Sequence, residues 1–355
     1  MKTGKVIGLT YDLKSDRPLT SDDPIDANAE LDTMETVEFI TNALKAGGHR
    51  VVPIGNVHNL LQQIDELDVD IVFNICEGHA GRNRESQVPL ILEMKGIPFI
   101  GSDALTMGIT LDKIAAKKCF IADGIPTPRY FNAYSTDDLE KLNTIGYPLI
   151  VKARYEGTSK GLSEQSRVEN LTGLKRQTEL INKKYKQAAL VEEFIRGTEF
   201  TVPVLGNGNP QAMPVSQIAI DGNVQLGDKF FTFSRVVNES AVRYVCPPQI
   251  TPELEKKLQD LAVRAYQSVD CRDFGRVDFR VDEQENLYVL EINPLPSLAK
   301  KDVFNIFPQV METTYEAIIN QVVNFALRRY GMLKDSAKGQ QSLQKQNRGM
   351  GIFHQ

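Results

Sequence analysis

Two apolar segments near the C-terminal end contain side chains that could bind a cation. GRVDFRV carries Arg276 and Asp278, and YVLEINPLPSLAKKD carries Glu291 and Asn293. The turn-rich residues DEQEN separate the segments, which predicts a β-hairpin over 274–293 with Asp278 opposite the other two oxygen-bearing side chains. Two carboxylates and an amide oxygen are hard ligands suited to Mg²⁺. The joint pattern predicts a magnesium site, whereas each residue taken alone fits an ordinary polar strand face.

Another segment, VKARYEGTSKG, has the composition of a loop that binds phosphate. The backbone N–H groups around Gly157, with the hydroxyls of Thr158 and Ser159, could surround phosphate oxygens. Lys152 in the preceding strand and Lys113 in LDKIAAKK are cations long enough to reach the same oxygens. The P-loop signature GxxxxGK[ST] is absent from this segment, and a plain turn beside solvated lysines is the alternative for each residue alone.

A further segment, VEEFIRGTEF, joins an apolar strand to Glu192 and Glu199. A carboxylate there could accept hydrogen bonds from ribose hydroxyls, and the backbone at the strand end could bind an adenine edge. Charged residues that follow a strand are usually just loop residues, so this pattern is weak alone. Beside a phosphate-binding loop, it predicts a nucleotide pocket.

The elements that would position these segments alternate between strand and helix. Residues up to about 100 follow a βαβαβ order, which implies a parallel sheet whose ligands lie beyond the carboxyl ends of the strands. Glu77 and Gly78 fall at such an end. A helix over 104–123, which carries Lys113, is predicted next, followed by a smaller α+β unit and then the hairpin.

The composition limits the classes of function. The chain has 355 residues, enough for two or three domains, and a net charge of −5 without a long basic run, which argues against nucleic acid as a partner. Its four cysteines form no CxxC pair, which fits a protein of the reducing cytoplasm better than a zinc site or disulfide framework. No apolar run approaches the ~18–20 residues of a membrane span, so no membrane partner is expected.

Five segments, in this order, resemble the ATP-grasp superfamily and, within it, the D-alanine–D-alanine ligase family: FNICEG, GIPFIGSDALTMGITLDKIAAKKCF, IVKARYEGTSKG, ALVEEFIRGTEFTV and GRVDFRVDEQENLYVLEINPLP. The resemblance implies an α/β, three-domain ATP-grasp fold. Such a fold has an N-terminal parallel-sheet domain and holds ATP between two α+β domains. The implied limits are 1–102 for the N-terminal domain, 103–192 for the central lobe, 193–332 for the C-terminal lobe and 333–355 for a polar tail.

The resemblance also implies roles for individual residues. Lys113 and Lys152 look like the lysines that bind the ATP phosphates, and Glu199 like the ribose carboxylate. Arg276 is similar to the arginine that steadies an acyl phosphate, and Glu291 to the ligand that bridges two Mg²⁺ ions, with Mn²⁺ as an alternative metal. The other implied nucleotide and metal residues are Gly157, Ser159, Glu192, Phe194, Ile195, Lys229, Asp278 and Asn293. The other implied catalytic residues are Thr158 and Ser297.

Several substrate positions depart from this family. No glutamate precedes Glu30 after the first strand, where the family has a glycine-rich motif with a glutamate. Thr158 replaces a serine of the glycine loop, and Phe230 stands at the position of a tyrosine. Ser297 replaces a glycine, and Asp302 replaces a serine that binds carboxylate. An altered substrate pocket is therefore expected, and its candidate residues are Glu77, Arg84, Lys300, Lys301 and Asp302.

The sequence thus predicts an ATP-dependent carboxylate–amine ligase. It would form a peptide bond between amino acids or small peptides through an acyl phosphate. A genuine D-alanine–D-alanine ligase is one alternative, and a nucleotide-binding module without turnover is the other. The family often forms homodimers, so the resemblance also implies a homodimer.

Overall fold

The N-terminal part folds into a parallel sheet covered by helices. A computed structural model describes residues 4–141, 145–238 and 241–333, so the predicted tail, apart from Leu333, lies outside the described residues. The elements of this part are β1 Val6–Tyr11, α1 Met34–Ala46, β2 Arg50–Gly55, α2 Val57–Gln63, β3 Ile71–Ile75, α3 Gln87–Lys95 and β4 Phe99–Ile100. The strands are parallel in the order β2-β1-β3-β4, as the βαβαβ pattern predicted.

Burial on both faces explains why the central strand β3 is apolar over most of its length. Phe73 packs into one hydrophobic cluster and its neighbour Val72 into another, and neither side chain is exposed. The carboxyl end of β3 leads directly into Glu77 and the loop that carries Arg84. The sheet therefore fixes where those polar residues lie.

The helix predicted over 104–123 is wrong in one respect, because two helices occupy these residues. They are α4 Ala104–Leu111 and α5 Lys113–Ala122, and Asp112 between them has an extended backbone. The Asp112 carboxylate accepts hydrogen bonds from the backbone N–H groups of Ile114 and Ala115 and from Arg154, so it caps α5 and ends α4. Apolar residues continue across the break, which hides it in the sequence pattern.

The central residues form an antiparallel sheet with a helix on one face. Its elements are β5 Tyr130–Ala133, β6 Leu149–Ala153, β7 Arg167–Val168, α6 Leu171–Lys184 and β8 Ala189–Glu193. The strand order is β5-β8-β6-β7, so β6 and β8 are neighbours. The segment that connects β6 to β7 contains the glycine-rich residues 156–161 and lies at one end of this sheet.

The third sheet contains the predicted hairpin. Its elements are β9 Gly197–Leu205, β10 Gln211–Ala212, β11 Ser216–Ile220, α7 Phe233–Val237, β12 Val242–Val245, α8 Pro252–Ser268, β13 Phe274–Asp282, β14 Leu287–Asn293 and, after the sheet, α9 Tyr315–Arg329. The strand order is β12-β11-β9-β13-β14, and β10 pairs with β9. Strands β13 and β14 form the antiparallel hairpin that the sequence predicted over 274–293.

The last helix, α9, packs back against the N-terminal sheet. The rings of Phe39 and Tyr315 stack with centroids 4.1 Å apart, and Asn320 donates a hydrogen bond to the carbonyl of Ala43. None of the helices in the described ranges is long and apolar enough to cross a membrane. The return of α9 ties the two ends of the described chain into one hydrophobic core.

Asp273 joins three distant parts of the chain and should dominate the stability of this core. It is fully buried and accepts hydrogen bonds from the Gly101 backbone, from Asn207 and from Arg329. Asp273→Asn keeps the shape but leaves the guanidinium without a charge partner, so we expect a loss of roughly 3 kcal/mol in the free energy of unfolding. Denaturant unfolding measures it.

The matched control is Asp65→Asn, which removes the exposed ion pair with Lys95. The control should cost less than about 0.5 kcal/mol, because surface pairs contribute little. Equal losses in the two variants would contradict the structural role of Asp273.

Candidate active site

Residues from all three sheets line one cavity of about 960 Å³, at the upper end of the volumes common for ligand sites. The predicted site residues that line it are Glu77, Lys113, Lys152, Gly157, Thr158, Ser159, Glu192, Phe194, Ile195, Glu199, Arg276, Asp278, Glu291, Asn293, Ser297, Lys300, Lys301 and Asp302. Arg84 and Lys229 do not line this cavity within the described part of the chain.

The hairpin brings the predicted metal ligands together at one edge of the cavity. Asp278 pairs in register with Glu291, and Arg276 pairs with Asn293. Asp278 accepts two hydrogen bonds from Arg276, at 3.0 and 2.9 Å, one from Asn293 and one from Thr201 at 2.6 Å. These contacts fix the Asp278 carboxylate and hold the guanidinium at the cavity wall.

Lys113 lies against the same edge. It starts α5, and its ammonium lies 3.2 Å from the Glu291 carboxylate and donates a hydrogen bond to the carbonyl of Glu156. Burial opposes ionisation of Glu291, but the ammonium groups of Lys113 and Lys152 outweigh it and hold its pKa below the ordinary value. The Lys113 ammonium therefore offsets the negative charge of Glu291, the predicted bridging ligand.

Glu192 lies between two lysines in the floor of the cleft. Its carboxylate is 2.6 Å from the ammonium of Lys117 and 2.7 Å from that of Lys152, and Glu192 and Lys117 are almost completely buried. Burial alone would raise the pKa of Glu192, but the two ammonium groups lower it to about 2. For Lys117 burial disfavours the charged ammonium and so lowers its pKa, although the Glu192 carboxylate opposes this shift. Strands β6 and β8 place the carboxylate beside Lys152.

The glycine loop is held by the N-terminal part of the chain. Thr158 and Ser159 have φ values of 46° and 55°, a left-handed conformation that few side chains adopt. The Glu30 carboxylate accepts a hydrogen bond from the Gly157 N–H and lies 3.1 Å from the Lys160 ammonium. Asp26 accepts a further bond from the Gly161 N–H. The loop is therefore closed over the cavity by two carboxylates.

An apolar slot lies on the other side of the cleft. Phe194 and Phe230 meet edge to face with ring centroids 5.7 Å apart, beside Ile150. Arg280 donates hydrogen bonds to the Ile195 carbonyl and to the Glu199 carboxylate, which fixes both at the slot. A flat ring can pack against these apolar side chains, and a carboxylate next to it can accept hydrogen bonds from hydroxyl groups.

The segment after β14 forms a cationic wall of the cavity. Lys300 and Lys301 line it, and the Asp302 carboxylate lies 3.8 Å from the Arg276 guanidinium. Burial raises the pKa of Asp302, and Arg276 partly offsets that effect. Ser297 is exposed at the same wall and accepts a hydrogen bond from the backbone of Ala299.

The N-terminal wall is lined by acidic side chains. Glu77 and Glu85 line the cavity, and neither carboxylate has a hydrogen-bond or ion-pair partner among the described residues. Burial and the adjacent carboxylates raise the pKa of Glu77 well above its ordinary value. Burial raises the pKa of Glu85 to about 7, although Arg84 and Lys113 oppose the shift. Asp32 lines the same wall.

Two predicted residues lie elsewhere. Arg84 is buried against Glu30 and Glu156, at 2.9 and 3.4 Å, so it supports the loop from behind. Lys229 is half exposed, and its ammonium lies 2.9 Å from Asp221. The nucleotide role implied for Lys229 stays a prediction.

Several polar residues of the site were not among the predicted site residues, and Glu30, Lys160 and Lys117 are three of them. Glu30 and Lys160 meet only through the fold, so no local pattern marks them as partners. Lys117 follows Lys113 by one helical turn in DKIAAKK, and this spacing was the available signal for it. Each of them supports a residue that the sequence did predict.

The N-terminal wall generates a prediction for stability against pH. The Glu85 pKa is about 7 in the folded protein, above its ordinary 4.5. Between these values the folded protein keeps a proton that the unfolded chain has lost, so stability falls as pH rises through this window. Glu85→Gln cannot ionise, so its free energy of unfolding should fall less than that of the wild type between about pH 5 and about pH 8.

Urea unfolding at both pH values measures the difference, with Glu35→Gln at the exposed rim as the control. An identical pH dependence in the wild type and Glu85→Gln would contradict the assigned proton.

Known proteins of similar sequence and fold indicate the family to which this chain belongs. The family model described as D-ala D-ala ligase C-terminus matches residues 120–324. The D-alanine–D-alanine ligase of Carboxydothermus hydrogenoformans is 30% identical over 305 residues, which is 83% of this chain and 93% of that protein. The uncharacterized protein y4sG of Sinorhizobium fredii is 34% identical over 268 residues, 73% of this chain and 75% of that one.

Two solved structures share the fold. The D-alanine–D-alanine ligase of Bacillus anthracis in complex with ATP has a TM-score of 0.69 at 21% identity, over 92% of this chain and 98% of that one. The VanG D-Ala:D-Ser ligase of Enterococcus faecalis has a TM-score of 0.70 at 19% identity, over 91% and 99%. The family-model match and the sequence relatives carry the assignment, and they agree with the predicted resemblance. The chain belongs to the D-alanine–D-alanine ligase family of ATP-grasp, ADP-forming ligases.

Proposed function

We propose that this ligase joins an amino acid or small peptide to an amine through an acyl phosphate, with ATP and Mg²⁺, and with a substrate pocket different from that of its relatives. The observation that carries the proposal is the position of Arg276. Its guanidinium is held between Asp278 and Asp302 at the cavity wall, beside Glu291. A module that only bound a nucleotide would have little use for a buried cation at that point.

The nucleotide would lie between the central and third sheets. Lys113 and Lys152 would bind triphosphate oxygens, and Glu199 would bind a ribose hydroxyl. The adenine ring would pack against the apolar cluster of Phe194, Phe230 and Ile150. These roles explain why the cations and the apolar slot occur in a single cavity. The cavity would then lie between the predicted central lobe, 103–192, and the predicted C-terminal lobe, 193–332.

The residues at the metal edge fit Mg²⁺. Asp278 and Glu291 supply carboxylate oxygens, which Mg²⁺ prefers as ligands. Each carboxylate is held in place by an ion pair, Asp278 with Arg276 and Glu291 with Lys113. Within the described residues no group of three or more His, Cys, Asp or Glu side chains could hold a metal by itself. Asn293 and the nucleotide oxygens would therefore complete the coordination. When bound, the metal would offset charge on the triphosphate.

The reaction needs a carboxylate made electrophilic. An oxygen of the substrate carboxylate attacks the γ-phosphorus of ATP, the bond from that phosphorus to the β,γ-bridging oxygen breaks, and ADP leaves. The amine then attacks the acyl carbon, the carbon–nitrogen bond forms, and phosphate leaves while the amine loses a proton. Arg276 would stabilise the transferring phosphoryl group and the developing oxyanion. The closed glycine loop, with Thr158, would exclude water that would hydrolyse the acyl phosphate.

The substrates would lie between the two walls of opposite charge. Lys300 and Lys301, with Ser297 and Asp302, would form the side of the acceptor amine. The N-terminal wall with Glu77 would form the side of the acyl donor. A D-alanine–D-alanine ligase is the second candidate, because the relative with 30% identity carries that name. The departures at Thr158 and around Ser297 favour another substrate pair.

An array of D- and L-amino acids and dipeptides, each pair incubated with ATP and Mg²⁺, tests the function. We expect ADP and phosphate only with specific pairs, and a product whose mass equals the sum of the pair less one water. ADP release and dipeptide with D-alanine alone would establish the second candidate. No ADP above background with any pair would contradict ligase activity.

Glu291→Gln should reduce turnover by roughly 10²–10³-fold, because the bridging negative charge is lost while the shape is kept. The rate of ADP release as a function of Mn²⁺ concentration measures both the rate and the metal requirement. The control on the same hairpin is Glu283→Gln, which is exposed and should change the rate by less than about twofold. Equal rates in the two variants would refute the metal assignment.

A further inference from the structure

We infer that the acyl donor of this ligase carries a second cationic group, as in a diamino acid, and that Glu77 and Glu85 bind that group at the N-terminal wall. The inference rests on the proposed function and names the substrate class of the same site.

The first observation is that Glu30 is not available to a ligand. Its carboxylate accepts a hydrogen bond from the Gly157 N–H, and Arg84 and Lys160 lie at 2.9 and 3.1 Å. The glycine loop would have to open before another cation could replace these partners. A substrate ammonium inside the closed cavity must therefore find other carboxylates.

The second observation is that such carboxylates line the cavity without a partner. Glu85 is 8% exposed, and neither it nor Glu77 has a hydrogen-bond or ion-pair partner among the described residues. Arg84 and Lys113 are cations that act on Glu85, but the Arg84 guanidinium is held by Glu30 and Glu156 and the Lys113 ammonium by Glu291. Buried polar groups normally have partners, so the buried and unpaired Glu85, beside the partly exposed and unpaired Glu77, indicates a ligand that supplies the donors.

The third observation is that one wall of the cavity is lined by acidic side chains and the other by basic ones. Asp32 lies on the same wall as Glu77 and Glu85, and Lys14 lies at its rim. Lys300 and Arg276 lie on the opposite wall, beside the metal edge. A molecule whose carboxylate points to Arg276 and whose ammonium groups point to the N-terminal sheet matches this arrangement. One α-ammonium group alone would leave part of the negative wall unbalanced.

A small neutral side chain does not fit this wall. Without a cation, burial and mutual repulsion oppose ionisation of both side chains, as their raised pKa values indicate. A methyl group would leave that repulsion in place and would fill little of the space. An ammonium or guanidinium group would donate hydrogen bonds to both carboxylates, which are strong when both partners are charged.

Pairs of amino acids of equal shape test the inference. Ornithine and norleucine differ only in a terminal ammonium or methyl group, as do 2,4-diaminobutyrate and norvaline. Both enantiomers of each are titrated calorimetrically into the full chain with Mg²⁺ and a non-hydrolysable ATP analogue. We expect at least one cationic member to bind roughly tenfold tighter than its neutral partner.

The double variant Glu77→Gln with Glu85→Gln should bring the two affinities within about twofold, because the cationic member then loses its advantage. Glu35→Gln at the rim is the control and should retain the preference. Equal binding of both members to the wild type, or a preference that survives in the double variant, would overturn the inference. The wild-type comparison decides the matter even if the double variant fails to fold.

ADP release from the same pairs separates this inference from the proposed function. A cationic preference in binding without ADP release from any pair would support the inference and contradict the ligase activity. ADP release with neutral amino acids and no cationic preference would do the reverse.

Discussion

A carboxylate buried between two ammonium groups is the interaction on which the nucleotide cleft depends. The ammonium groups of Lys117 and Lys152 lie within 2.7 Å of the Glu192 oxygens. The carboxylate offsets the repulsion between the two buried ammonium groups before any nucleotide binds. Removing one partner from such a set leaves an uncompensated buried charge. The alternation of cation and carboxylate continues to Lys113 and Glu291 at the metal edge. The phosphate oxygens of a bound triphosphate would replace carboxylates as partners of lysines that are already in position. Such preorganised charge assists phosphoryl transfer.

Paired and unpaired charges divide the cavity into two parts. Lys113, Lys152, Glu192 and Glu291 on the nucleotide side have ion-pair partners, whereas Glu77 and Glu85 on the N-terminal wall have none among the described residues. The glycine loop connects the two parts, because Glu30 and Asp26 hold it by backbone N–H groups and by Lys160. Closure of the loop thus depends on carboxylates from the same part of the chain that faces the substrate.

Local patterns predicted much of the site, and long-range contacts account for the rest. The hairpin with Asp278 opposite Glu291 follows from strand alternation and a short turn, both visible in sequence. The contact of Glu30 with the glycine loop joins residues 127 positions apart, and no periodicity reports such a contact. The break at Asp112 escaped prediction for another reason, since the apolar pattern runs through it and only a side-chain cap ends the helix. The family resemblance predicted the ATP-grasp fold, but the charge of the N-terminal wall required the structure.

The central claim is that this protein transfers the γ-phosphoryl group of ATP to a substrate carboxylate. The most direct measurement uses an acyl donor whose carboxylate oxygens carry a heavy stable isotope, followed by mass analysis of the released phosphate. Attack by the carboxylate and later displacement of phosphate must move one labelled oxygen from the substrate to the phosphate. The account predicts phosphate that contains one heavy oxygen for each amide bond formed. Amide formation with unlabelled phosphate would contradict it.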